Sequence, residues 1–210
     1  MSEIKNVLVA GANGTTGRII IDLLKKSETY QPIAMVRKQD QKDHFEKQGV
    51  SVVLADLEED LSQAVKNADK VIFAAGSKGE NIIDVDQEGA KRLIDAAKEA
   101  GLEKFVMLSS MGADEPAVSN DLEDYLRAKQ NADDYLKAST LNYSIVRPGA
   151  LTDDDGTGKI ELKEKLEKRG SIARADVAKT LVEVLDDKLK KNKVFEILAG
   201  DTHIEKAVRS

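Results

Sequence analysis

The chain contains no cysteine. Disulfides, thiolate nucleophiles and cysteine metal centres are therefore excluded. It also lacks any apolar run approaching the roughly 20 residues of a membrane-spanning helix. No secretory leader precedes the first apolar segment, so a cytoplasmic location is expected. Positive charge is not in excess: 32 Lys and Arg face 38 Asp and Glu, a net −6. With 4% aromatic residues and no basic, aromatic-rich patch, the sequence argues against nucleic acid or an anionic membrane as partner. Only two histidines occur, His44 and His203. They are far apart, in surroundings that read as charged helix, and no metal site is expected. What remains is 210 residues, 41% hydrophobic and 33% charged, enough for one soluble domain with a sizeable core.

Short apolar runs alternate with helical patterns almost to the end of the chain. Strands are expected at Lys5–Ala10, Gln31–Val36, Val50–Leu54, Lys70–Ala75, Lys104–Leu108, Asn142–Val146 and Lys193–Leu198. Several are apolar throughout, as parallel strands buried on both faces are. Helices are expected at Ile19–Lys25, Val85–Ala100 (ended by Gly101), Leu122–Ala138 and Asp176–Leu185. Repeated strand–helix–strand units predict an α/β fold: a single Rossmann-type, doubly wound parallel sheet in three α/β/α layers. No repeat or long linker divides residues 1–210. Residues 148–175 and 199–210 are expected to form a small substrate-side portion. The acidic loop at Thr152–Gly158 reads as a solvated turn, with cation binding by Asp153–Asp155 the alternative. The charged stretch Lys159–Arg169 is expected to lie over the sheet's carboxyl edge.

The most informative segment is Val7–Arg18, Val-Leu-Val-Ala-Gly-Ala-Asn-Gly-Thr-Thr-Gly-Arg. An apolar strand stops at Gly11, glycines recur at Gly14 and Gly17, and a helix begins at once. Gly11 permits a sharp turn, Gly14 lets the backbone approach a pyrophosphate, and Gly17 lets the helix lie close on the sheet. The helix start offers free N–H groups to phosphates. Asn13, Thr15 and Thr16 complete the expected phosphate corner. After the second strand, where an NAD site places an acid for the ribose hydroxyls, this chain has Arg37 and Lys38. Two cations there suit a 2′-phosphate, so NADP is the expected cofactor, with NAD possible and an ordinary basic loop the alternative reading. Asp56 and Leu57 close the third strand, where a short acid can accept from an adenine amino group. Ala74, Ala75 and Gly76 close the fourth, where small residues let the backbone run beside the ribose and nicotinamide.

Tyr125 and Lys129 stand four apart on an expected helix, so they share a face. An ammonium beside a phenol favours the phenolate. Such a pair can protonate a carbonyl oxygen, or deprotonate a hydroxyl, as hydride moves. Taken alone the spacing also fits a solvated surface pair. Ser109 and Ser110 leave the fifth strand, where a hydroxyl could meet a substrate oxygen or merely cap the strand end. Arg147 and Arg174 could attract an anionic substrate or pair with nearby carboxylates.

With Gly11–Gly17, Ala55-Asp56-Leu57, Ala74-Ala75-Gly76, Ser109-Ser110, Tyr125-x-x-x-Lys129 and Val146-Arg147-Pro148-Gly149, the chain resembles a short-chain dehydrogenase/reductase from about Asn6 to Ala199. It is most similar to the short, atypical NAD(P)-binding group, described as NmrA-like or as NAD-dependent epimerase/dehydratase. The resemblance implies that Tyr125 is the acid–base group, that Lys129 tunes it and holds the ribose, and that Ser110 steadies the reacting oxygen. It sets Met111 where the family's serine usually falls, and Asp86 where a helix asparagine supports the lysine. It implies an NADP-dependent oxidoreductase or epimerase-like enzyme acting on a small-molecule carbonyl or hydroxyl compound, as monomer or homodimer. The alternative is a non-catalytic, NmrA-like sensor of NAD(P)H.

Overall fold

The computed structural model describes residues 3–76, 81–118 and 122–210. At its centre is β1 (Lys5–Ala10), in which Val7 to Ala10 are wholly buried. Successive strand side chains point to opposite faces. Val7 and Val9 accordingly join one core cluster, and Leu8 and Ala10 the other. The neighbours of β1 are β2 (Tyr30–Val36) and β4 (Lys70–Phe73), both parallel to it. Beyond these lie β3 (Ser51–Leu54) on one side, and β5 (Lys104–Leu108), β6 (Tyr143–Pro148) and β10 (Lys193–Ala199) on the other. The nine-stranded sheet is closed by β8 (Lys159–Lys163) and β11 (Thr202–His203), in the order β11-β8-β10-β6-β5-β4-β1-β2-β3. All pairings from β3 to β10 are parallel, while β8 is antiparallel to β10 and β11 to β8. A separate parallel pair is formed by β7 (Ala150–Thr152) and β9 (Ser171–Ala173).

Helices cover both faces. On one lie α1 (Thr15–Lys25), α2 (Gln39–Glu46), α5 (Arg174–Glu183) and α6 (Ile204–Ala207), whose apolar residues join Val7 and Val9. On the other lie α3 (Ala90–Glu99) and α4 (Glu123–Ala138). Ile20, Ile21 and Leu24 of α1 are buried, each contributing about 1.5–3 kcal/mol of apolar burial. They dock α1 against the sheet beside α5 and fix its first turn at the end of β1. The expected doubly wound sheet is therefore observed.

Four local outcomes differ from the sequence reading. The helix α2, which contains His44, had no expected bounds, because Phe45 is its one buried residue and no apolar stripe marks it. The stretch expected over the carboxyl edge supplies β8 instead. Ile160 is buried inward while Glu161 and Lys163 alternate with it, a charged pattern suited to a strand near the sheet's edge, with only the two-residue β11 beyond it. His203 ends the two-residue strand β11 and caps α6, so only its C-terminal side is helical. The helix expected at Val85–Ala100 is α-helical only from Ala90. Residues Ile82–Gly89 wind as a π-helix, a form often found at functional sites. A Cβ at Gly89 would come 2.8 Å from Leu57 Cβ and 3.2 Å from the Asp84 carbonyl oxygen, so glycine permits this wider winding beside Leu57.

At the amino end of the sheet two buried lysines pair in register, Lys70 with Lys104. Lys70 Nζ donates to the Leu185 carbonyl (2.9 Å) and to Asp187 Oδ1 (2.6 Å). Lys104 Nζ donates to the carbonyls of Asp186 and Leu189, both at 2.8 Å. They satisfy carbonyls just past α5, where cations also suit the helix dipole. The opposite, carboxyl end of the sheet is left for chemistry.

Candidate active site

The strand order reverses between β1 and β4, and in open α/β sheets ligands bind outside the carboxyl ends at such a point. Gly11 leaves β1 with φ +83°, a conformation that favours glycine. A Cβ there would lie 2.6 Å from the backbone of Ala75, so the turn after β1 fits tightly against the exit of β4. A Cβ on Gly17 would overlap the Gly11 carbonyl oxygen and lie 2.9 Å from Ala12 Cα. Gly14 caps α1 with no side-chain hydrogen bond, and the first turn holds no acid. The uncapped N–H groups and the dipole of α1 therefore face the crevice with no acid in the helix's own first turn. Arg18 braces the turn from outside, donating to Asn13 Oδ1 (2.6 Å) and O (3.2 Å). This cradle, which a Cβ would fill, fits the pyrophosphate of a dinucleotide.

Two cavities meet at Gly14 and Ala74–Gly76. The smaller, about 290 Å³, is lined by Asn13, Gly14, Arg37, Gln41, Asp56 and Leu57, among others. Arg37 is exposed there, and its N–H donates to Gln41 Oε1 at 3.3 Å. Asp56 Oδ1 accepts from the Glu58 N–H (3.1 Å). Lys38 is the residue before α2 and lies outside this lining. Gly17 also lies outside both linings, at the foot of α1. The larger cleft, about 740 Å³, begins at Gly14, Thr15 and Thr16 and runs to Ser109, Tyr125 and Lys129. Its apolar wall includes Ile82, Leu108, Leu122 and Leu151.

Tyr125 and Lys129 lie a turn apart on α4, with the Lys129 ammonium 5.5 Å from the phenol ring centroid. Lys129 is buried, and its Nζ pairs with Asp86 Oδ1 at 2.9 Å. The π-helix thus carries Asp86 to the place where the resemblance set a supporting asparagine. Burial favours the neutral amine, but Tyr125 beside it and the carboxylates of Asp86 and Asp133 outweigh this and hold the Lys129 pKa above its ordinary value. Its surroundings thus favour the charged ammonium.

The serines separate. Ser110 Oγ reaches only the Met111 carbonyl, at 3.4 Å, and is outside the cleft lining, while the neighbouring Ser109 lines it. Ser109 Oγ donates to Asp133 Oδ2 (2.8 Å). The same oxygen accepts from Arg147 Nε (3.0 Å) and forms an ion pair with Nη2 at 2.9 Å. Burial pushes the Asp133 carboxyl up, and Arg147, Ser109 and Lys129 only partly reverse this. Both arginines weighed as anion anchors are paired: Arg147 is buried on Asp133, and Arg174 at the cleft rim holds Asp153 at 2.7 Å. Asp176 supports that acidic loop by accepting from the N–H groups of Thr157 (3.0 Å) and Gly158 (2.7 Å). Sequence reasoning missed Asp133. Its signal was the continuation of the Tyr125–Lys129 spacing by four more residues on the same helix face.

Residues 11–188 match the model of an NAD(P)H-binding family. A Bacillus subtilis protein named as an uncharacterized sugar epimerase is 41% identical, over 97% of this chain and 98% of its own. A solved structure from Bacillus halodurans, provisionally described as an NAD-dependent epimerase/dehydratase, superposes with TM-score 0.93 at 40% identity, over 98% of this chain and 99% of that one. An anaerobilin reductase from Escherichia coli O157:H7 superposes with TM-score 0.83 at 27% identity, over 93% and 98%.

Proposed function

This chain belongs to the NAD(P)H-binding family, and from that we propose that it is an NADP-dependent oxidoreductase or epimerase-like enzyme of atypical short-chain dehydrogenase/reductase type, acting on a small carbonyl or hydroxyl compound. The observation that carries the reading is a phenol beside a buried lysine paired with Asp86, in a cleft continuous with the phosphate cradle. Gly11, Gly14, Thr15, Thr16 and the start of α1 would hold the pyrophosphate, with Gly17 bringing α1 close enough to do so. Asp56 and Leu57 would face the adenine, and Ala74–Gly76 the inner ribose. Arg37, exposed in the adenosine-side cavity, would take the 2′-phosphate, with Lys38 adding charge nearby. Bound NADPH supplies a hydride to the substrate carbon. Tyr125 gives its hydroxyl proton to the carbonyl oxygen, and the Lys129 cation stabilises the phenolate left behind. Asp86 holds that ammonium in place. The Escherichia coli reductase among its relatives supports the reductive direction.

Tyr125→Phe tests this. NADPH oxidation with a panel of carbonyl compounds should fall by about 10²–10⁴-fold, while NADPH binding stays at the wild-type level. Undiminished turnover in the variant would remove the assigned chemistry. A second reading, an NAD(P)H sensor, draws on the serines: Ser110 lies outside the cleft lining, and the Ser109 proton is already taken by Asp133. It predicts NADPH binding with no oxidation by any carbonyl compound.

A further inference from the structure

Asp133 is wholly buried on α4, one turn past Lys129 and two past Tyr125. Two donors converge on its Oδ2, Ser109 Oγ at 2.8 Å and Arg147 Nε at 3.0 Å, and Arg147 Nη2 lies 2.9 Å from the same oxygen in an ion pair. Its other oxygen, Oδ1, is buried with no hydrogen-bond partner among the described residues. Arg147 is itself buried on β6, and its guanidinium holds the carboxylate by one hydrogen bond and an ion pair to Oδ2. Asp133 therefore cannot follow Ser109 if the serine turns, and Ser109 cannot turn without taking a donor from a carboxylate already short of them. Leaving such a group less satisfied in a dry site is costly.

The consequence lies in the cleft. A serine hydroxyl has one proton and two lone pairs. With the proton held by Asp133, Ser109 offers the cleft acceptor capacity alone. Tyr125 a short way off is the proton donor of the proposed reaction. We propose that Asp133, locked by Arg147, is a positioning residue that makes Ser109 an obligate acceptor, so that the cleft selects carbonyl compounds bearing a hydroxyl or N–H beside the carbonyl. The carbonyl oxygen then faces Tyr125 and the neighbouring donor faces Ser109. An α-hydroxyketone, or a cyclic ketone with an adjacent amide N–H, has this pattern. The inference rests on the cleft being the substrate site of the proposed enzyme.

The test uses matched probes that differ by one donor: acetoin against butanone, and isatin against N-methylisatin. Affinity for the NADP⁺-loaded protein is measured by calorimetry, and NADPH oxidation is followed separately. The wild type should favour the donor-bearing member of each pair by about fivefold or more in affinity, the effect of one hydrogen bond. Ser109→Ala should bring each ratio near one, and Ser109→Thr, which keeps a hydroxyl, should restore it. Asp133→Asn should also lower the ratio. If that buried change prevents folding, Ser109→Ala still decides the matter. Equal affinities in the wild type, a ratio that survives Ser109→Ala, or no binding of any probe at millimolar concentration would each overturn the inference. A ratio lost in Ser109→Ala without any turnover would support it while refuting the reductase reading. Turnover without donor preference would do the reverse.

Discussion

Replacing Gly17 with alanine and replacing Gly14 with alanine should damage the protein in opposite ways. At Gly17 the new Cβ overlaps the Gly11 carbonyl oxygen and sits 2.9 Å from Ala12 Cα. Both obstacles are backbone, held by the buried strand β1, and neither can move like a side-chain tip. Overpacking of this kind costs about 1–3 kcal/mol, occasionally more. Alanine regains about 1 kcal/mol of helix propensity over glycine. With two backbone overlaps the steric side wins, and a net loss of about 2 kcal/mol follows, or a Tm lower by roughly 4–8 °C in a chain of this size. Gly14 differs. Its φ of −71° and ψ of 166° suit alanine, and the nearest atom to a Cβ is the Gly11 carbonyl oxygen at 3.2 Å. The entropy gained by restricting the unfolded chain, about 0.4–1 kcal/mol, roughly offsets that contact and the poorer cap. Stability should stay within about 1 kcal/mol of wild type. The methyl group, however, stands in the cradle, and NADPH affinity should fall at least about tenfold, equivalent to 1.4 kcal/mol. Thermal unfolding by circular dichroism, without ligand, reads the first effect. Titration of NADPH fluorescence reads the second. If Gly14→Ala binds NADPH as wild type does, or Gly17→Ala melts as wild type does, the division of labour among these glycines is wrong.

Arg37→Ala should weaken NADPH binding by about tenfold and leave NADH binding within twofold; equal losses for both nucleotides would contradict the 2′-phosphate assignment. Arg147→Met leaves Asp133 buried without its cation, and urea unfolding should show a loss of about 3–5 kcal/mol at pH 7. Because the Asp133 carboxyl already titrates above its ordinary value, the unfolded chain ionises first. The loss should therefore shrink as pH falls through the folded pKa, and a pH-independent loss would count against the pairing. Burial lowers the Lys104 pKa from 10.5 to about 8. Between those values the folded chain has released a proton that the unfolded chain retains, so stability from this group rises with pH. Relative to Lys104→Met, the wild type should gain about 3 kcal/mol between pH 7 and pH 11 in denaturant unfolding, and a flat difference would refute it.

Much of this fold was legible because its signals are local. The runs Val7–Ala10 and Phe105–Met107 are apolar on both faces, as only a sandwiched parallel strand is, and both are fully buried. The glycine turn, too, announces itself by spacing. What was missed is what lacks a periodic mark. The helix α2 buries a single phenylalanine, and β8 is a charged strand next to the sheet's edge whose partner β10 lies about thirty residues on. At the site, the Tyr125–Lys129 pair could be read from one helix. The links from Asp133 to Arg147 and to Ser109, 14 and 24 residues away, could not, because they exist only once β5 and β6 lie side by side beneath α4. The choice between Ser109 and Ser110 was equally closed to sequence. Adjacent residues at a strand exit point opposite ways, and which one faces the cleft depends on where the last pleat falls.

The π-helical segment over Ile82–Gly89 makes one corner of the cleft sensitive to length more than to composition. Each residue of a helix advances about 100° around its axis. Deleting one residue before Asp86 would let the segment relax toward ordinary winding and swing that carboxylate about a quarter-turn off Lys129. Exchanges on the outward side, as at Ile83, leave the phase untouched. The segment behaves as a spacer whose count of residues, and not their identity, keeps acid and ammonium face to face.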